Sequence, residues 1–197
     1  MSIYNFAPAP DLTTNEQNFA FWENGFTDEQ IKSIIDIGES LVVKDAEVGD
    51  NEKNSKIRKS KVSWITHTQE SNFLYDQLAY IARCLNGQFF EYDLFGFVED
   101  MQYTRYESDG GHYNWHLDRG GVQPAPRKLS FVMQLSDPDE YEGGDLEFWV
   151  GGDEPIKAKK QKGLIYVFPS FVLHRVTPVT KGTRKSLVVW AAGPKFK

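Results

Sequence analysis

This sequence predicts a mainly β domain with its helices at the N-terminal end (α+β), the β part being a sandwich or barrel of jelly-roll type. Three observations carry that expectation. Apolar residues recur at three- and four-residue spacing in the first half of the chain. From residue 92 onward, short runs rich in Val, Tyr, Phe, Trp and Leu alternate with Gly, Pro and Asp clusters. The chain has 197 residues, 40% hydrophobic and 14% aromatic, which suits one folded domain and neither a coiled coil nor a disordered segment.

Residues 1–20 are polar with early prolines and read as an extended arm. Thr27-Asp28-Glu29-Gln30 has the form of a capping box, with acids in the first turn. Ile31, Ile34, Ile35 and Leu41 follow at helical spacing, which predicts a helix over about 27–42. Ser71 opens a second helix in which Phe73, Leu74, Leu78, Ile81, Ala82 and Leu85 recur, with Gly87 as its closing residue. Between the helices, residues 44–61 are turn-rich and basic (Lys53, Lys56, Arg58, Lys59, Lys61) and lead into the strand-like Val62–Ile65. The β part follows in the runs Phe95–Tyr106, Tyr113–Asp118, Lys128–Leu135, Asp145–Val150, Leu164–Phe168 and Arg184–Ala192, punctuated by Gly110-Gly111, Gly120-Gly121, Gly143-Gly144, Gly151-Gly152 and Gly182. We expect one domain over 1–197, with arm, helices and basic loop in 1–91 and the β core in 92–193.

Composition removes several function classes. A balance of 22 basic against 28 acidic residues leaves a net charge of −6, which argues against nucleic acid as the main partner. No run of about 18 apolar residues suggests a membrane span, and the opening MSIYNFAPAP lacks the layout of a signal peptide. The single Cys84 excludes an internal disulfide and a Cys-rich zinc site, and fits the reducing cytoplasm expected for this chain.

The four histidines are His67, His112, His116 and His174. On a strand, His116 and Asp118 in His116-Leu117-Asp118 would point to one face and could share a ligand. His174 follows 56 residues after Asp118, just beyond an apolar strand. Two His and a carboxylate form the facial triad of non-haem Fe(II) oxygenases, which leaves three of six positions open. The same donors could hold zinc for hydrolysis, or a metal in a binding module without turnover. Arg184 discriminates. It falls ten residues after His174 on a strand whose alternation puts Arg184, Ser186, Val188 and Trp190 on one face. A guanidinium facing a largely apolar interior needs an anion, and a dicarboxylate that chelates the metal at one end would present one. His67 and His112 have no role in this pattern.

Together, His116-x-Asp118, His174 and Arg184 resemble the Fe(II)- and 2-oxoglutarate-dependent dioxygenases, particularly the prolyl 4-hydroxylase-like group. QYTRYESDGGHYNWHLD is similar to the family stretch with a tyrosine, here Tyr106, ten residues before the first iron His. RKLSFVMQLSDPDEYEGGDLEF resembles its strand–turn–strand unit, and Ile57–Ile65 its upstream segment. The resemblance implies a double-stranded β-helix (jelly roll, cupin-like) and iron held by His116, Asp118 and His174. It also implies 2-oxoglutarate and O2 as co-substrates, with ascorbate as an accessory reductant. Co-substrate contacts are expected from Arg184, Tyr106, Gln134, Ser186 and Trp190. Gln134 stands where several relatives have an aromatic hydroxyl, so Ser130, Gln134 and Ser186 are the candidates for a second anchor. Trp190 stands where the nucleic-acid demethylases of the superfamily carry a second arginine, which counts against nucleobase repair.

The implied reaction hydroxylates a peptidyl residue, proline foremost, and releases succinate and CO2. The alternatives are the same mechanism on a free amino acid or small metabolite, and a non-catalytic cupin-like metal-binding module. Arg58, Tyr113 and Trp115 are the substrate-side candidates. In the resembled hydroxylases a segment at the place of residues 44–61 closes over the peptide.

Overall fold

The computed structural model describes residues 17–46, 56–119 and 127–195. Most of the expected arm, Lys53 with its neighbours 47–55, and the Gly120-Gly121 pair lie outside the described residues.

Strand β1 (Ala20–Trp22) leads into helix α1 (Asp28–Ser40). The capping box forms as expected: Gln30 N–H donates to Thr27 Oγ1 at 3.3 Å, and Thr27 N–H donates to Gln30 Oε1 at 2.9 Å. Three strands, β2 (Lys44–Asp45), β3 (Arg58–Lys59) and β4 (Lys61–Ile65), precede helix α2 (Asn72–Leu85). The β part comprises β5 (Gly96–Phe97), β6 (Met101–Glu107), β7 (His112–His116), β8 (Arg127–Gln134), β9 (Tyr141–Gly143) and β10 (Leu146–Trp149). It ends with β11 (Ile156–Lys157), β12 (Ile165–Pro169), β13 (Leu173–Val176) and the long β14 (Val179–Ala192).

These strands make two antiparallel sheets. The larger runs β1-β12-β8-β14-β6-β4-β2, with β5 and β9 also paired to β14; the smaller runs β11-β10-β13-β7-β3. Period-two alternation sorts each strand of the larger sheet between two cores. On β14, Leu187, Val189 and Ala191 face the helices, where Ile31, Ile34, Leu74, Leu78 and Ile81 are buried. Tyr106, Val132, Tyr166 and Phe168 turn to the opposite side and pack with Phe148 and Val176 of the smaller sheet. The polar Arg184, Ser186, Ser130 and Gln134 are buried on that second side. The sheets thus form a jelly-roll sandwich with a polar interior strip, and the helices cover the larger sheet from outside.

Helix α1 packs very close to β6. A Cβ at Gly38 would lie within 3.0 Å of the Tyr103 ring, and Tyr103 donates its hydroxyl to Glu39 Oε1 at 2.7 Å. The expected Gly143-Gly144 turn is real and strained for any other residue, with φ of 71° and 62°. A Cβ on Gly144 would meet Arg184 Cδ at 3.0 Å, so this turn packs against the interior arginine.

Three local expectations need correction. Gly87 does not close α2; the chain continues as a π-helical turn over Asn86–Phe90, and Glu91 takes the left-handed conformation at φ 52°. The Asn86 side chain holds that turn, accepting from Tyr92 N–H and donating to Tyr92 O. The run Phe95–Tyr106 is split, because β5 and β6 are separated by Val98–Asp100. Finally, β7 ends at His116, so Asp118 sits in the bend after the strand and does not share a face with His116 by alternation.

Candidate metal centre

Strands β7 and β13 pair with His116 directly opposite His174, and the register shifts just beyond that pair. The two imidazoles therefore stand side by side, with ring centroids 4.1 Å apart. Asp118 comes back to them from the bend after β7. One edge of that bend is tied down, since Arg119 N–H donates to Ser170 O at 2.9 Å. One ligand atom from each of His116, Asp118 and His174 lies within 4.8 Å of the others.

Hydrogen bonds assign the tautomers. His116 Nδ1 lies 2.7 Å from Asn114 O, and His174 Nδ1 lies 2.9 Å from Val172 O. A backbone carbonyl can only accept, so both Nδ1 atoms carry a proton, and a neutral ring then presents its lone pair at Nε2. The two Nε2 atoms face Asp118 Oδ1 at 3.5 and 3.7 Å. Burial pulls His174 down to about 4, against the opposing pull of Asp118, so the ring is neutral at pH 7. Burial alone would raise Asp118, but His174, His116 and the Ser130 hydroxyl outweigh it and hold the carboxyl well below its usual range. With His174 neutral, donors on Oδ2 take over that work: Ser130 Oγ at 2.6 Å and Trp190 Nε1 at 2.9 Å. Two imidazole Nε2 atoms and one carboxylate oxygen, three donor atoms of the kind that bind metals, converge here. With a divalent ion that arrangement is a facial triad.

The walls are aromatic. Tyr113 stacks on His116 at 3.4 Å between centroids, and Phe168 meets His174 edge-on at 4.7 Å. Burial pushes the Tyr113 hydroxyl up to about 12, so it remains a neutral donor. Arg58, nearly buried, places its guanidinium 4.6 Å from the Tyr113 ring centroid and donates to Ser60 Oγ at 2.8 Å.

Arg184 is 1% exposed. Its Nη2 donates to Gln134 Oε1 at 3.0 Å, and its Nη1 to Ser186 Oγ at 3.3 Å; the Tyr106 ring lies 5.3 Å below the guanidinium. Nε has no partner, and among the described residues no carboxylate pairs with this cation. A buried guanidinium answered only by neutral groups, with one N–H orphaned, calls for an anionic ligand.

Sequence reasoning thus placed His116, Asp118, His174, Arg184, Tyr106, Gln134, Ser186 and Tyr113 around one interior. Three other candidates sit differently. Trp115 is on the outer side of the smaller sheet, edge-on to Trp149 and under Arg175. The indole of Trp190 and the hydroxyl of Ser130 both bond to Asp118. His67 pairs with Asn72 and His112 with Gly110 O, both away from the triad. Arg127 and Glu99 were not foreseen. The Arg127 guanidinium covers the Trp190 ring at 3.6 Å and donates to Asp118 O at 3.3 Å, and Glu99 grips its other side. No spacing motif marks them, because Glu99 lies between β5 and β6 and Arg127 opens β8, 28 residues later.

Residues 101–192 match the family model of the 2OG-Fe(II) oxygenase superfamily. This segment is thus similar to that superfamily. The match spans β6 to β14 and so includes both imidazoles, Asp118 and Arg184. A PKHD-type hydroxylase of Synechococcus sp. (strain CC9605) is 41% identical over 83 residues, 42% of this chain and 37% of that relative. One from Sphingopyxis alaskensis is 28% identical over 162 residues, covering 80% of this chain and 71% of the relative. The chain spans well under half the length of the first of these. Among solved structures, a Trichoplax adhaerens prolyl hydroxylase in complex with a hypoxia inducible factor peptide fragment superposes with a TM-score of 0.76. It is 17% identical, over 89% of this chain and 84% of that one. A Pseudomonas putida prolyl-4-hydroxylase superposes with a TM-score of 0.70 at 20% identity, over 90% and 94%. The matched segment and its helical cover therefore share the double-stranded β-helix fold of these structures. No helix among the described residues is long and apolar enough to cross a membrane.

Proposed function

We propose that this chain is an Fe(II)- and 2-oxoglutarate-dependent oxygenase that hydroxylates a peptidyl residue, proline foremost, with release of succinate and CO2. In this reading residues 1–197 form one domain, with arm, helices and basic loop in 1–91 and the jelly-roll core in 92–193. The observation that carries it is Arg184: a fully buried cation lacking an acidic partner among the described residues, on the same interior strip of β14 that leads through Ser186 and Val188 to Trp190 at Asp118. A zinc hydrolase has no use for that cation.

Iron would be held by His116 Nε2, Asp118 Oδ1 and His174 Nε2, a set of two neutral nitrogens and one anionic oxygen that suits Fe(II). When bound, the metal supplies the redox chemistry that couples decarboxylation of 2-oxoglutarate to oxygen insertion into a C–H bond. The protein does the rest. Arg184 would pair bidentately with the distal carboxylate, and Gln134 and Ser186 fix the plane of the guanidinium. Tyr106 closes the space beneath it. Val172 O and Asn114 O hold the Nδ1 protons, which keeps both Nε2 lone pairs pointed at the metal position. Tyr113 and Phe168 exclude water from the two rings. Tyr113, with Arg58 behind it, forms the wall nearest an incoming substrate.

The test is incubation with Fe(II), ascorbate and 2-oxoglutarate against a panel of proline-containing peptides and free amino acids, followed by mass spectrometry. Gain of one oxygen atom on a peptide, matched by succinate, supports the proposal. Gain on a free amino acid alone would shift the substrate to a small molecule.

A further inference from the structure

Asp118 lies past the end of β7, where no strand pairing fixes its side chain. Two donors fix it instead. Ser130 Oγ donates to Oδ2 at 2.6 Å and Trp190 Nε1 donates to the same atom at 2.9 Å. Ser130 and Trp190 are direct partners in the β8–β14 ladder, so one cross-strand pair presents both donors side by side. A carboxylate oxygen has two acceptor positions, and both positions on Oδ2 are taken. Oδ1 faces the two imidazole Nε2 atoms, at 3.5 and 3.7 Å.

Each donor is itself braced. Ser130 Oγ lies 3.0 Å from Ser170 Oγ. The Trp190 ring is covered by Arg127 at 3.6 Å, and Arg127 also donates to Glu99 Oε1 at 2.8 Å and to Asp118 O at 3.3 Å. Arg127 thus holds both the backbone of Asp118 and the indole that holds its carboxylate.

We infer that Ser130 and Trp190 are positioning residues that keep Asp118 a single-oxygen ligand, with Glu99 and Arg127 as their brace; this rests on reading the triad as a metal site. The count of coordination positions gives the lock its purpose. Two His and one carboxylate oxygen fill three of six positions. A second Asp118 oxygen would fill a fourth and leave two, which a chelating co-substrate would use up. The pair on Oδ2 reserves the third open position.

Mn(II) is a suitable probe because it prefers octahedral oxygen and nitrogen sites and its bound waters can be counted by line broadening of its electron paramagnetic resonance in 17O-enriched water. Wild type should hold Mn(II) with three waters. The Ser130→Ala/Trp190→Phe double variant should lose about one water, and its Mn(II) affinity should fall roughly 10–100-fold, the range typical when support of a ligand is removed. Either single variant carries the same test with a smaller loss. A merely structural role would lower the melting temperature of the metal-free protein and leave the water count at three, which overturns the inference while the metal site stands. Wild-type protein that takes up no Mn(II) overturns both.

Discussion

His174 concentrates the local chemistry of the site in one side chain. Burial keeps it neutral, Val172 O takes its Nδ1 proton, and its Nε2 is left facing the Asp118 carboxylate. Replacing His116, Asp118 or His174 by Ala removes one of three donors. Each variant should fold, yet lose metal affinity by more than the roughly 10–100-fold seen for residues that only support a ligand. Calorimetric titration with Mn(II) measures this, and a variant that keeps wild-type affinity is not a ligand. Arg184→Ala should leave metal binding near wild type and weaken 2-oxoglutarate binding to the metal-loaded protein. A charge-assisted bidentate contact of about 1.5–3 kcal/mol corresponds to about 10–150-fold. Arg184→Lys should fall between, since an ammonium cannot reproduce the fork. Unchanged 2-oxoglutarate affinity in Arg184→Ala would place the anchor elsewhere.

At the scale of elements, α1 can approach β6 only because residue 38 has no side chain. Gly38→Ala should destabilise the fold by about 1–3 kcal/mol, the usual cost of overpacking, even though alanine favours helices. Urea unfolding reads it directly; a neutral or stabilising result would mean the helix can shift freely off Tyr103. The elements also show what the sequence makes legible. The capping box at Thr27 and the alternation of Arg184, Ser186, Val188 and Trp190 depend on neighbours within a few residues, and both are found in the structure. The position of Asp118 was not legible. His116-x-Asp118 suggests one strand face, but pairing with β13 stops at His116, and Asp118 is placed by Ser130 and Trp190 from two other strands. The π-helical turn after α2 escaped for a similar reason, since Gly87 looks like a helix stop and the side chain of Asn86 overrides it. Trp115 was a substrate-side candidate, but as the neighbour of His116 on β7 it alternates to the opposite face and lies edge-on to Trp149.

Across the whole molecule, the two sheets and their helical cover bring together donors from β7, the bend after it, β13, β8 and β14. No single element contains the site, so metal binding should report on the global fold. Mn(II) at about 100 times its dissociation constant should stabilise wild type by about 2.7 kcal/mol, raise the melting temperature, and leave His174→Ala unmoved. An equal shift in both proteins would locate the ion elsewhere. The central claim is that one interior joins a facial triad to a carboxylate anchor for oxidative decarboxylation. Its most direct test is succinate formation from 2-oxoglutarate with Fe(II), O2 and a panel of proline-containing peptides. Succinate should form in step with an oxygen-bearing product, be absent without Fe(II), and be lost in both His174→Ala and Arg184→Ala. Folded, iron-loaded wild type that forms no succinate under any of these conditions, or an Arg184→Ala variant that forms it at the wild-type rate at low 2-oxoglutarate, would contradict it.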